Sequence, residues 1–346
     1  MTTLKDKFRG CLLGASMGDI AGAAVEAESP GYIARTYRSV DEILATPSVP
    51  EFVGPDWQVG RYTDDTQMML CVAEWLLDGP PHGAESLLSR FAEAYEPWRR
   101  YGPGTELILR LYPEHHAEWR QLATAQFPSG SFGNGSAMRV APVGLAYFQD
   151  QKTLASVATE SSRPTHCHPV AFQGAVLQST AVATAVTSTE IVPEAFLSRL
   201  RAALADFADL LQDTTAFARA LASIEDGLED GRSCQEMASA LGTGVAAHEA
   251  VPMALYCFLR HPDSYERVLH EAIFLGGDTD TIACMAGAIS GAFLGAAAIP
   301  ANWLAAVRED KYPVAEIERL ADRLFERYGG STESNRIAKP RSDLSS

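Results

Sequence analysis

Between Thr281 and Pro300 the chain carries no charged residue, and Gly287, Gly291 and Gly295 recur inside that run at every fourth position. Beside them Ile282, Met285, Ala286, Ile289 and Phe293 form an apolar stripe with the three-to-four spacing of one α-helix face. Small residues at that interval let a second helix approach very closely. The segment is therefore expected to be the packing centre of a helical protein. Its length would also suit a membrane span. However, the run is mostly Ala and Gly, follows Asp278 and Asp280, and has no basic flank to orient it, so a buried central helix is the expectation.

The helical period runs through most of the chain. Leu4, Phe8, Cys11, Leu12 and Ala15 share one face, as do Met68, Met69, Cys71, Val72, Trp75 and Leu76 after Asp65. Further helical patterns cover roughly 84–100, 137–148, 170–187, 194–211, 214–227, 234–247, 252–261 and 264–274. No run of alternating apolar and polar residues demands a strand, so the fold class expected is all-α. Two long stretches without a regular pattern, 27–62 and 99–136, are rich in Pro and Gly and contain aromatics. Loops of that length usually serve as lids or binding loops. No linker divides the chain, so one compact domain is expected over residues 1–330, followed by a polar, disordered tail at 331–346.

The formal charge of −16 argues against a nucleic-acid or anionic-membrane partner, which would need a basic face. A phosphate-bearing ligand would have to be held by backbone N–H groups, a few arginines or bound cations. The six cysteines (Cys11, Cys71, Cys167, Cys234, Cys257 and Cys284) are scattered with no CxxC pair, mostly in apolar runs. That pattern suggests reduced, buried thiols and a cytoplasmic protein. The first residues also lack the apolar region of a signal peptide.

Three segments place carboxylates beside small residues at the edges of helical patterns. They are Gly18-Asp19-Ile20 with Glu26, Thr63-Asp64-Asp65-Thr66, and Gly277-Asp278-Thr279-Asp280-Thr281. Helix capping is the plain reading of any one of them. A cap needs a single side-chain oxygen, however, and the last two segments each crowd two carboxylates into one turn. Such charges repel unless a proton or a cation intervenes. The donors are hard oxygens with no His or Cys among them, which points to Mg²⁺, or Mn²⁺ in its place, over zinc. Two acidic turns that converge would make a two-metal site.

The segments Gly-Cys-Leu-Leu-Gly-Ala-Ser-Met-Gly-Asp at 10–19, Tyr-Thr-Asp-Asp-Thr-Gln-Met at 62–68 and Gly-Gly-Asp-Thr-Asp-Thr-Ile-Ala at 276–283 resemble the three signatures of the ADP-ribosylglycohydrolase superfamily. The resemblance runs from about residue 6 to 305. It implies a single orthogonal helical domain holding two Mg²⁺ ions. It also implies Thr63, Asp64, Asp65, Asp278, Asp280 and Thr281 as metal ligands, with Asp280 bridging, and Glu26 as the catalytic and gating glutamate. Asp19 has no metal role in that pattern and is expected to be structural.

Gly130-Ser131-Phe132-Gly133-Asn134-Gly135 precedes an apolar helical pattern. It is neither a Walker loop nor a dinucleotide fingerprint, because it lacks Gly-Lys-Ser/Thr and no strand leads into it. Backbone N–H groups at a helix start can nevertheless hold a diphosphate without basic residues. The stretch 125–140, with Thr243–Arg260 and Tyr101-Gly102-Pro103-Gly104, is similar to the type-three ADP-ribosylhydrolases, the branch associated with serine-linked ADP-ribose. That resemblance implies Gly130, Ser131, Phe132, Gly133 and Asn134 at the diphosphate and adenosine. It puts Phe127 and Phe132 as walls for adenine, Gly102 at the distal ribose and His166 near the phosphates. Phe132 stands where tyrosine is common, keeping the ring but losing a hydroxyl. His166-Cys167-His168 invites a zinc reading, but no spacing supplies four ligands. Arg139, Arg99 and Arg100 could meet phosphate, with a solvated surface the favoured reading for Arg99 and Arg100.

The expected function is Mg-dependent hydrolysis of the O- or N-glycosidic bond of ADP-ribose conjugates. ADP-ribosylated proteins or peptides would be the partners and ADP-ribose the product. Serine-linked ADP-ribose leads, ahead of poly-ADP-ribose and O-acetyl-ADP-ribose. Glu26 is expected to act as general acid or base, with Asp278 as the second candidate base. Competing readings are an arginine-ADP-ribose hydrolase, a metal-dependent nucleotide phosphohydrolase, and a non-enzymatic relative of the lens-crystallin kind.

Overall fold

Two rows of glycine face each other at the centre of the molecule. The first helix, Leu4–Ala23, carries Gly10, Gly14, Gly18 and Gly22, and the central helix, Thr279–Leu294, carries Gly287 and Gly291. They cross so closely that a Cβ on Gly14 would lie 2.4 Å from the Gly287 carbonyl oxygen, and one on Gly291 would lie 1.9 Å from that of Gly10. Running back from there, Gly18 meets Ala283 and Gly22 meets Thr279 and Asp280, so the two helices are antiparallel. This register brings the end of the first helix against the start of the central one. Gly291→Ala is expected to lower stability by about 3 kcal/mol, the upper end for an overpacked core, because the added methyl meets backbone that cannot rotate away. Thermal denaturation reads this as a fall in Tm; an unchanged Tm would mean the helices can part at no loss.

The described residues are 2–45, 58–80, 83–309 and 311–330, and the computed structural model forms twenty α-helices and four short 3₁₀ turns over them. Among the described residues no strand forms, and Gly133 and Ala246 make an isolated bridge. Pro169–Thr187 and Ala247–Arg260 pack on the central helix, and a continuous apolar cluster runs from Phe8 to Leu324. Pro169–Thr187 is long and apolar enough to cross a membrane, yet 89% of its apolar window is buried inside the protein. The amphipathic Val314–Tyr328 buries Ile317, Leu320, Ala321 and Leu324 and is tied to the first helix by Arg9 and Asp322, at 2.6 Å.

Boundaries differ from expectation where proline or glycine intervenes. The pattern at 84–100 breaks after Ala94, and Pro97–Arg99 continues as a 3₁₀ turn. That at 137–148 divides into Gly135–Met138 and Ala141–Ala146, with Pro142 in the second helix's first turn. That at 234–247 stops at Leu241, ahead of Gly242 at φ +86. The two irregular stretches hold short helices: Pro30–Thr36 and Val40–Ala45 in the first, Pro103–Leu111 and Trp119–Ala125 in the second. Residues 46–57 of the first stretch, and the tail 331–346, lie outside the described residues. All six cysteines are free thiols, and all but Cys167 are buried.

Candidate active site

The antiparallel glycine contact decides where the first carboxylates meet. Past Ala23 the chain turns, and Ala27 N–H donates to the Gly277 carbonyl at 2.9 Å while Thr279 Oγ1 donates to the Gly22 carbonyl at 2.8 Å. Gly277, at φ +78, lies so close to Thr243 that a Cβ would be 2.3 Å from its carbonyl oxygen. The turn carrying Glu26 is thus stitched to the turn carrying Asp278 and Asp280. Carboxylate oxygens of these three residues lie within 4.8 Å of one another, the one such acidic, His or Cys group among the described residues. His166-Cys167-His168 forms no comparable group, and the His168 ring instead caps Pro169–Thr187 by accepting from Val170 N–H at 3.2 Å.

Asp19, fully buried, brings in the third acidic turn. Its carboxylate accepts from Thr63 N–H at 3.0 Å, Thr63 Oγ1 at 2.8 Å, Thr66 N–H at 3.0 Å and Thr66 Oγ1 at 2.6 Å. It therefore ties the start of helix Asp64–Asp78 to the first helix and has no oxygen facing the cavity, in keeping with a structural role. Asp64, Asp65, Asp278, Asp280 and Thr281 are all buried, and together with Glu26 they line one cavity of about 280 Å³. Thr63 is outside that lining, its hydroxyl donating to Asp19 at 2.8 Å and lying 3.4 Å from Asp65 Oδ2.

Without a counter-charge this wall resists ionisation. Desolvation, then the proximity of Asp280 and Asp19, holds Asp64 and Asp65 well above the ordinary carboxylate range. Burial first and Asp280 second push Asp278 up to about 8, against a hydrogen bond from Asn134 Nδ2 at 2.6 Å. Asp19 rises to about 6, mainly by burial. Asp65 Oδ1 is buried with no hydrogen-bond partner. An orphaned carboxylate oxygen among crowded hard donors fits a divalent cation of the magnesium type.

Apolar Pro103, Ile108, Leu122 and Phe127 line the same cavity. Six of the eight expected substrate contacts line the cavity: Gly102, Phe127, Ser131, Gly133, Asn134 and His166. Gly130 and Phe132 lie outside the lining. Gly130, at φ +83, backs onto His168, and Phe132 is 50% exposed, edge-on to His168 at 5.7 Å. Asn134 is occupied on both sides, its amide N–H donating to the Val245 carbonyl at 2.9 Å and its side chain to Asp278. His166 is held neutral, its pKa lowered to about 3 by burial and then by Arg139. Arg139 is fully buried and donates to Thr165 Oγ1 at 2.9 Å and the Ser161 carbonyl at 2.7 Å. Thr165 Oγ1 lies 2.7 Å from His166 Nδ1, so a hydroxyl that accepts from Arg139 can give its proton there and leave Nε2–H as the donor.

The structure corrects the surface reading of Arg99 and Arg100. Arg99 is 2% exposed and grips Glu309 at 2.9 and 3.0 Å, Glu96 at 2.7 Å and the Tyr62 carbonyl at 2.8 Å, while lying over the Tyr62 ring. Glu309 also accepts from Tyr62 N–H at 3.0 Å, so the residue before Thr63 is clamped on both backbone polar groups. Arg100 pairs with Glu26, and Tyr101 OH donates to Gln67 on the acidic helix. Glu309 and Gln67 were not singled out in the sequence. Glu309 is 210 positions from Arg99, and no local pattern links the two.

The sequence pattern of one family, ADP-ribosylglycohydrolase, matches residues 1–334. The chain is similar to the ADP-ribosylhydrolase ARH3 of Mus musculus, with 36% identity over 86% of each chain. It is likewise similar to the ARH3 of Homo sapiens, with 36% identity over 86% of this chain and 88% of the other. Among solved structures, an "ADP-ribosylglycohydrolase-related protein complex" aligns at a TM-score of 0.69 with 26% identity, covering 95% of this chain and 100% of that one.

Proposed function

The chain belongs to the ADP-ribosylglycohydrolase family, and from that premise we propose a magnesium-dependent enzyme that frees ADP-ribose from serine side chains of modified polypeptides. The observation that carries this reading is the convergence of three acidic turns on one cavity that apolar side chains also line. Such a cavity suits a ligand with a polyhydroxyl end and an aromatic end. The serine linkage rests on the likeness of 125–140 and 243–260 to the type-three branch, together with the ARH3-named relatives.

Thr63, Asp64, Asp65, Asp278, Asp280 and Thr281 would hold two Mg²⁺ ions, whose positive charge would orient the hydroxyls of the distal ribose. Every other element of the chemistry belongs to side chains of the chain. As the seryl oxygen departs, positive character builds on the distal ribose, as in glycoside cleavage generally. Glu26, partly exposed at the cavity, moves the proton at the leaving oxygen. Asp278, fixed by Asn134, is the second carboxylate able to take a proton from the attacking water. Phe127 offers its ring to the adenine, and neutral His166 can donate to a phosphate oxygen without being titrated itself.

The test is a panel of peptides carrying serine-linked or arginine-linked ADP-ribose, with poly-ADP-ribose and O-acetyl-ADP-ribose alongside, assayed with Mg²⁺. Release of free ADP-ribose from the serine conjugate, at least about tenfold faster than from the arginine conjugate, is expected. Preference for the arginine conjugate would overturn the linkage, and release of AMP would overturn the reaction type.

A further inference from the structure

Arg100 makes two bonds that meet at one turn. Its guanidinium pairs with the Glu26 carboxylate, and its Nη1 donates to the Ala23 carbonyl at 2.8 Å. Ala23 is the last residue of the first helix, where carbonyls lack intrahelical partners. One cation therefore caps the helix leading to Glu26 and holds Glu26 itself.

Glu26 needs such a holder. Its carboxylate lies within 4.8 Å of those of Asp278 and Asp280 at the cavity, so where it points decides what it can reach there. Asp278 and Asp280 are buried at the start of a helix, as its N-cap and in its first turn, whereas the Glu26 side chain is 28% exposed and would otherwise be able to swing away. The backbone of Arg100 adds a second observation. It sits at φ +66, in the left-handed region that residues with a Cβ usually avoid, with a side chain 13% exposed. Strain of this kind at a cavity wall points to a role in the site. Arg99 takes no part, because its guanidinium is committed to Glu309 and Glu96. Two residues on, Gly102 lines the cavity.

We propose that Arg100 is a positioning residue for Glu26, holding its carboxylate over the cavity. The assignment rests on the role given to Glu26 above. It also ties the Glu26 turn to the Gly102 wall, so the group that moves the proton and the wall beside the sugar are fixed by one side chain.

Arg100→Gly and Arg100→Lys test this. Glycine adopts φ +66 without strain, so the Tm of R100G is expected at or above that of the parent. In saturating Mg²⁺, kcat on the serine conjugate is expected to fall at least about tenfold, while the Kd for free ADP-ribose, read by calorimetry, stays within about threefold. R100K should fall between, since an ammonium keeps the charge but not the fork that reaches both partners. A kcat for R100G within about twofold of the parent overturns the proposal. So does a Kd that weakens in step with kcat, which would make Arg100 a ligand contact, or a clear loss of Tm, which would make it structural. If the parent releases no ADP-ribose from any conjugate, the reading of Glu26 fails first; an active parent with an unaffected R100G removes Arg100 alone.

Discussion

Glu26→Gln is expected to slow turnover by about 10²–10⁴-fold, the range general acid–base catalysis supplies, with ADP-ribose affinity changed by no more than about threefold. The amide keeps the length and shape of the carboxylate and can still accept from Arg100, but it cannot carry a proton to or from the leaving oxygen. Both kcat and kcat/KM should fall together, the signature of an interaction made only in the transition state. The Glu26 oxygens lie near Asp278 and Asp280, so the measurement needs saturating Mg²⁺ to separate proton transfer from weakened cation binding. Turnover within about threefold of the parent would move the role to Asp278, the other carboxylate in the group, which Asn134 holds in place. Loss of affinity matching the loss of turnover would instead make Glu26 a ligand-holding group.

Much of this site was legible because its parts are local. Each acidic turn is written in consecutive residues, and the glycine row in 281–300 announced a close helix neighbour. The identity of that neighbour was also present in the sequence: Gly10, Gly14, Gly18 and Gly22 repeat at the same interval. Pairing the two rows antiparallel is enough to place Glu26 beside Asp280. What stayed hidden depends on partners far along the chain. Arg99 and Arg100 look like a solvated basic pair, and nothing nearby shows that Glu309 and Glu26 will bury them. Asn134 and Phe132 teach the same lesson within one loop. The glycine-rich spacing marks the loop as a ligand wall, but only the fold decides that Asn134 turns to Asp278 and Phe132 to His168. Short helices inside 27–62 and 99–136 escaped because proline and glycine interrupt the period before it can be read.

Magnesium is expected to stabilise the protein, and to do so more at pH 8 than at pH 5. Burial and mutual repulsion hold Asp64, Asp65 and Asp278 above their unfolded values, Asp278 at about 8. In the metal-free protein the folded state therefore binds protons that the unfolded state has already lost. Stability from these groups is complete below the unfolded carboxylate range near pH 4 and is lost as pH rises toward 8. The Tm measured in chelator should fall across that window. A cation replaces those protons, so its effect grows as they leave. At 100 times its Kd it contributes about 2.7 kcal/mol, or roughly 4 °C in a chain of this size. Turnover should disappear in chelator at both pH values. Asp65→Asn separates this account from general ionic strength. Removing a buried charge whose Oδ1 has no partner should raise the metal-free Tm at pH 8, while the further gain from Mg²⁺ shrinks or vanishes. Opposite signs in chelator and in magnesium are hard to produce by any route other than a cation held among these carboxylates. A variant as responsive to Mg²⁺ as the parent would show that Asp65 holds none.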